Sequence, residues 1–217
     1  MNTNENELLQ ISLNENPEAW KSLGFSINQL DSGVSFFKIG KVRFLFNPDE
    51  EFHGFGEILA VNIERSIESI PFGKLSNETI KEIDAIPPET HANGVCRIDH
   101  LVITTANADR TTSALENAGV TAKGTRTFGE KNNRVRQTFF WLGEVILELV
   151  GPDQATGDAP ATLWGLALVS EDIERTIAVI KNCTPLKEAV QPGRKITTVK
   201  NRDVGVGVPI AIMTPHK

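Results

Sequence analysis

The feature that most constrains this chain is that it repeats itself. Arg110-Thr111 and Arg175-Thr176 open two predicted helices in the same frame. The strands ahead of them, IDHLVIT at 98–104 and LWGLALV at 163–169, align without a gap. Each copy predicts a strand, a helix and three more strands. In the first copy these fall at 98–104, 109–117, 122–128, 135–142 and 145–150. Alternating β-branched and aromatic residues, broken by GEKNN at 129–133 and by Gly143, mark the hairpins. In the second copy the strand at 163–169 leads to a helix at 173–182, then strands near 187–191, 196–200 and 206–213. A repeat of this kind fixes the architecture before any single residue does.

Two fainter echoes lie upstream. FFKIGKV at 36–42 matches FFWLGEV at 139–145 at both phenylalanines, the glycine and the valine. Ahead of it, NPEAWKSLGF at 16–25 predicts a capped helix that stops at Gly24. IERSIESI at 63–70 echoes IERTIAVI at 173–180 and follows an apolar strand at 57–61, but no later strands follow. IPPETHANG at 86–94 is turn-rich. The expected plan is a degenerate half-domain over 1–72 (one module and a truncated second), a connector over 73–96, and a full domain over 97–217 with modules at 97–152 and 163–215.

Composition excludes more than it selects. With 22 basic and 28 acidic residues the net charge is −6, which opposes general nucleic-acid binding. No apolar run is long enough to cross a bilayer, so no membrane partner is expected. The polar, acidic start MNTNENE is not a targeting peptide, and a cytoplasmic location is expected. Cys96 and Cys183 form neither a disulfide framework nor a zinc motif and are expected to be buried as small apolar groups.

The strand IDHLV at 98–102, the strand VILELVGP at 145–152 and the Gln191-Pro192-Gly193-Arg194 turn with its β-rich tail resemble the vicinal oxygen chelate superfamily. That superfamily includes glyoxalase I, extradiol dioxygenases, and fosfomycin-resistance and bleomycin-binding proteins. The resemblance covers 97–215 well and 6–72 more faintly. It implies an α+β fold of paired βαβββ modules, curved into a mixed sheet around a cleft. It also implies metal ligands on the first and fourth strands of a module, where His100 and Glu148 stand.

Imidazole and carboxylate suit a divalent ion. A carboxylate between Leu147 and Leu149 must face away from those leucines, toward a polar cleft. In the second copy, however, the histidine position is Gly165 and the carboxylate position is Ala211. Half of the expected donor set is missing, so a tightly bound metal is not the leading expectation. His100 and Glu148 are the candidate catalytic groups and metal ligands, and the alternative reading is an inherited pair bonded to each other or to water.

Arg126, Arg134, Arg136 and Arg194 fall on or beside strands and can grip a carboxylate or phosphate. Only one of Arg136 and Gln137 can face the cleft. Arg126, Arg136, Arg194, Trp141 and His91 are the candidate substrate-binding residues, although each also has a plain structural role open to it. Trp164, Phe139 and Phe140 add bulk that serves either a cleft wall or a core. His53 and His216 lack supporting context, and the acidic stretch from Glu78 to Asp84 predicts a solvated helix face. There is no dinucleotide, phosphate-loop or nucleophile-elbow motif.

Three functions remain open. One is a metal-assisted lyase, isomerase or dioxygenase. The second is a metal-free protein that sequesters an antibiotic or metabolite, as bleomycin-binding relatives do. The third is a structural or regulatory partner protein with a vestigial site. The expected partner is a small-molecule ligand, and the expected state is monomer or homodimer.

Overall fold

The computed structural model describes residues 6–47, 54–63, 65–73, 77–130 and 133–216. Three βαβββ modules account for most of them. The first is β1 (Leu8–Asn14), α1 (Pro17–Ser22), β2 (Asn28–Gln29), β3 (Ser35–Ile39) and β4 (Val42–Phe46). It is followed by β5 (Gly54–Ala60) and α2 (Asn77–Ala85). The second module is β6 (Val95–Thr104), α3 (Ala108–Asn117), β7 (Ala122–Phe128), β8 (Val135–Leu142) and β9 (Val145–Pro152). The third is β10 (Thr162–Ser170), α4 (Ile173–Ile180), β11 (Lys187–Glu188), β12 (Lys195–Thr198) and β13 (Ile210–Met213).

The strands form two mixed sheets. Within every module the last strand lies parallel to the first, and the remaining strands follow antiparallel. The order is therefore β2-β3-β4-β1, β7-β8-β9-β6 and β11-β12-β13-β10. The α+β class and the paired βαβββ plan expected from the sequence are present.

The registers make the repeat exact at the level of residues. Val102 pairs with Glu148, Ala167 with Ala211, and Ser12 with Leu45. The position of Glu148 is thus taken by Ala211 in the third module and by Leu45 in the first. The position of His100 is taken by Gly165 and Gln10.

By internal contacts the chain divides into two compact units. One holds the described residues of Met1–Leu9, Glu57–Lys74 and His100–Gly165, and the other holds those of Gln10–Gly56, Leu75–Asp99 and Leu166–Lys217.

In the first unit, Leu101, Ile103, Phe140, Leu142, Leu147 and Leu149 alternate onto one buried face of the sheet, the face that meets α3. Asn107 caps α3 through a bond from the Arg110 amide, 3.0 Å. The opposite face carries Trp141, which is exposed, Gln137, Phe139, Ile146 and His100, which are half-buried, and Glu148 and Val102, which are buried.

In the second unit, Trp20 of α1 packs on Phe37, Phe44 and Phe46, with Phe25 beside it. Asn16 caps α1, and Gly24 ends it at φ +85°, a conformation that favours glycine. A Cβ at Gly24 would meet Val179 Cγ1 at 2.7 Å, so close packing demands glycine as well.

The other face of β3 and β4 is covered by α2. Ile83 is fully buried there with Phe36 and Leu30, and Val34, Leu45 and Ile86 pack around them. Asp84 accepts from Arg43 Nε at 2.8 Å and Nη2 at 2.7 Å, so the acidic stretch ends in a docked residue instead of a wholly solvated face.

Three other expectations need correction. Residues 63–70 echo helix α4 in sequence, but Ile63 bridges to Ala60 and the chain turns from Ile67 to Ile70. Glu68 and Ser69 have φ of 53° and 70°, and Pro71 follows, so a helix cannot propagate. The strand expected over 206–213 is confined to Ile210–Met213, because a 3-10 turn at Asn201–Val204 and a left-handed Gly205 come before it. Cys96 is exposed, its thiol donating to the Val169 carbonyl at 3.5 Å, and Cys183 is half-buried, so neither is a fully buried apolar group.

Candidate functional site

The parallel pairing of β6 with β9 puts His100, Val102, Ile146 and Glu148 on one face. His100 Nε2 lies 3.3 Å from Glu148 Oε2, and the two side chains are 17% and 9% exposed. The antiparallel pairing of β8 with β9 adds Gln137, Phe139 and Trp141 to the same face, and β7 adds Gly124 and Arg126. Gln137 Nε2 donates to Glu148 Oε1. Arg126 Nε donates to Gln137 Oε1, and its guanidinium lies 5.4 Å from the centre of the Phe139 ring. The result is a continuous polar chain, Arg126–Gln137–Glu148–His100, running across four strands.

Of the two neighbours Arg136 and Gln137, Gln137 takes the cleft side. Arg136 points to the other face and pairs with Asp109 at the start of α3, 2.7 Å away. Arg134 lies 3.6 Å from Asp153. Trp141 and Trp164 are 46% and 53% exposed and Phe139 is half-exposed, whereas Phe140 is buried in the core. Trp141 also borders a hollow of about 280 Å³ with Asn6, Gly119, Thr121 and Lys123. The sequence did not mark Gln137 as a site residue in its own right. Its alternation with Phe139 and Trp141 is the signal that places it beside Glu148.

The remaining candidates belong to the second unit. His91 is 3% exposed and stands edge-on to Phe25 and Phe37. Its Nδ1 accepts from the Ser26 amide at 3.2 Å, and its Nε2 bonds to the Lys38 carbonyl at 2.9 Å. Since a carbonyl only accepts, Nε2 carries the proton and the ring is neutral. Burial holds its pKa below the ordinary histidine value, against the opposing pull of the Lys38 carbonyl and Glu89. His91 also borders a cavity of about 460 Å³ shared with Lys38, Glu89, Cys96, Asp172 and Arg175.

Arg194 is 1% exposed and pairs with buried Asp99 at 2.7 Å. It also donates to the Thr214 carbonyl at 2.8 Å and to His216 Nε2 at 3.0 Å. His53 lies outside the described residues.

The fit of a metal to this site is decided by the donors. His100 and Glu148 are two ligands, and the repeat supplies Gly165 and Ala211 where others would stand. The amide of Gln137 is committed at both ends, its oxygen to a guanidinium. Among the described residues no group of three or more His, Cys, Asp or Glu side chains gathers at ligating distance. A catalytic divalent ion normally takes three protein ligands, so the residues present do not fit one.

No family model and no curated protein matches the sequence. Solved structures do match the fold. A triple variant of 4-hydroxymandelate synthase from Streptomyces coelicolor aligns over 97% of this chain and 92% of its own, at 11% identity and a TM-score of 0.61. A xylose isomerase-like TIM barrel/4-hydroxyphenylpyruvate dioxygenase fusion protein aligns over 97% of this chain and 48% of its own, at 12% identity and a TM-score of 0.64. Methylmalonyl-CoA epimerase from Mycobacterium tuberculosis covers 57% of this chain and 91% of its own, at 16% identity and a TM-score of 0.44. The chain has the vicinal oxygen chelate fold. No helix among the described residues is long and apolar enough to cross a membrane.

Proposed function

We propose that this chain is a small-molecule binding protein whose site is the open face of β6, β7, β8 and β9, and that it binds without a metal ion. One observation carries the reading. The donors that would hold a metal are bonded to one another, from His100 to Glu148 to Gln137 to Arg126. Such a chain holds its members in fixed positions and presents polar atoms beside exposed aromatic rings, which is the usual make-up of a ligand site. The division into a half-domain over 1–72, a connector and a ligand-bearing domain over 97–217 belongs to the same proposal.

The metal-assisted lyase, isomerase or dioxygenase is the lesser reading, because it needs donors beyond this pair. Binding in the presence of a chelator tests the choice. A panel of aromatic and heteroaromatic ligands should bind the full chain equally well with and without EDTA, and Gln137→Leu, which breaks the bonded chain, should weaken them. Affinity that vanishes in EDTA and returns with a divalent ion contradicts the proposal.

A further inference from the structure

We propose that the ligand of this face is anionic with a flat apolar body, its acidic group on Arg126 and its body on Phe139 and Trp141. The inference rests on the binding reading above and adds the ligand's charge.

The strand registers lay the face out in rows. Arg126 and Gln137 share one row, Gly124, Phe139 and Glu148 the next, and Trp141 and Ile146 the third. Rows on one face of a sheet are roughly 7 Å apart, so two rows match the length of a fused two-ring molecule. Gly124 leaves a gap beside Phe139, and a Cβ there would meet nothing within 4 Å. The Nε of Arg126 is spent on Gln137. Its two Nη groups have no partner among the described residues and form a planar fork suited to a carboxylate. At the other end Glu148 is held by Gln137 and His100 and would repel an acidic group, which fixes the ligand's direction.

The first module supplies an internal precedent. Phe36 stands where Phe139 stands in the second module, and Leu45 where Glu148 stands. On that face the chain provides its own occupant. Ile83 covers Phe36, and the Asp84 carboxylate enters the fork of Arg43. An apolar group over the phenylalanine and a carboxylate on an arginine is therefore what this face takes when it is filled. In the second module the equivalent phenylalanine is half-open, Ile146 takes the position of Arg43, and the arginine is Arg126, one row to the other side of the phenylalanine.

Calorimetric titration of the full chain with 2-naphthoate and with 2-naphthamide, both in EDTA, tests the charge. The naphthoate should bind on the order of tenfold tighter, as one charge-assisted pair predicts. Arg126→Gln should erase that preference, and Arg175→Gln, which removes the same charge elsewhere, should keep it. Equal binding of the two probes, or a preference that survives Arg126→Gln, overturns the inference and leaves the binding reading standing. If neither probe binds, both fail.

Discussion

Gln137 donates to Glu148 across the β8–β9 ladder while Arg126 donates to Gln137 across the β7–β8 ladder, so the two residues at the ends of the amide are locked through it. This relationship makes Gln137 the hub of the site, although it is neither charged nor a usual ligand. Replacing it with leucine would leave Glu148 with an unpaired oxygen at 7% exposure. Gln137→Leu should cost about 1–3 kcal/mol in a urea melt. Gln137→Glu should weaken ligands more than it weakens the fold, because it sets a second carboxylate against Glu148.

Glu15 anchors the second unit in a similar way. At 1% exposure it accepts from the Trp20 indole and from the amides of Gly207 and Val208, at 2.7 and 2.8 Å. Glu15→Ala strands two buried donors, the Trp20 indole and the Val208 amide, and the part-buried Gly207 amide, and should cost on the order of 3 kcal/mol. Glu15→Gln should cost roughly half of that, since one oxygen still serves the two amides while its NH2 faces the indole N–H. A urea melt followed by tryptophan fluorescence reads both.

His91 predicts a pH dependence. Its folded pKa lies below the usual 6.5, so the unfolded chain binds the proton first as pH falls. The neutral ring's contribution is fully present above 6.5 and is lost progressively as pH falls from there toward the depressed folded value. Protonation would also end the bond from the Ser26 amide to Nδ1. Denaturant midpoints should drop between pH 7 and pH 5, and His91→Gln should be less stable at pH 7 but flatter across that window. A midpoint that rises toward pH 5 contradicts this assignment.

Much of this was legible because local and long-range signals agree. In the second module, alternation and turn residues predict strands at 122–128 and 135–142, and the structure has strands at Ala122–Phe128 and Val135–Leu142. Within one strand alternation separates two faces, but only the register with β9 says which face meets Glu148. The choice between Arg136 and Gln137 was therefore not available from β8 alone. The burial of Arg194 needed the partner Asp99, which lies far away in sequence on β6. At 63–70 the pattern was helical, and the backbone of Glu68 and Ser69 overrode it.

Arg194 illustrates how burial separates a scaffold role from a ligand role. Its pair with Asp99 is almost fully withdrawn from water, so Arg194→Met should cost about 3–5 kcal/mol by leaving a buried carboxylate without its cation. The same variant, where it remains folded, should bind naphthoate as the unaltered chain does. Loss of affinity without loss of stability would return Arg194 to the ligand site.

The central claim is that the His100–Glu148 pair belongs to a metal-free site. Calorimetric titration of chelator-treated protein with Zn²⁺, Mn²⁺, Fe²⁺ and Ni²⁺ tests it directly. The account predicts that the chain binds these ions no more tightly than the His100→Ala, Glu148→Ala double variant does. A single stoichiometric site that disappears in each of the two single variants would contradict it.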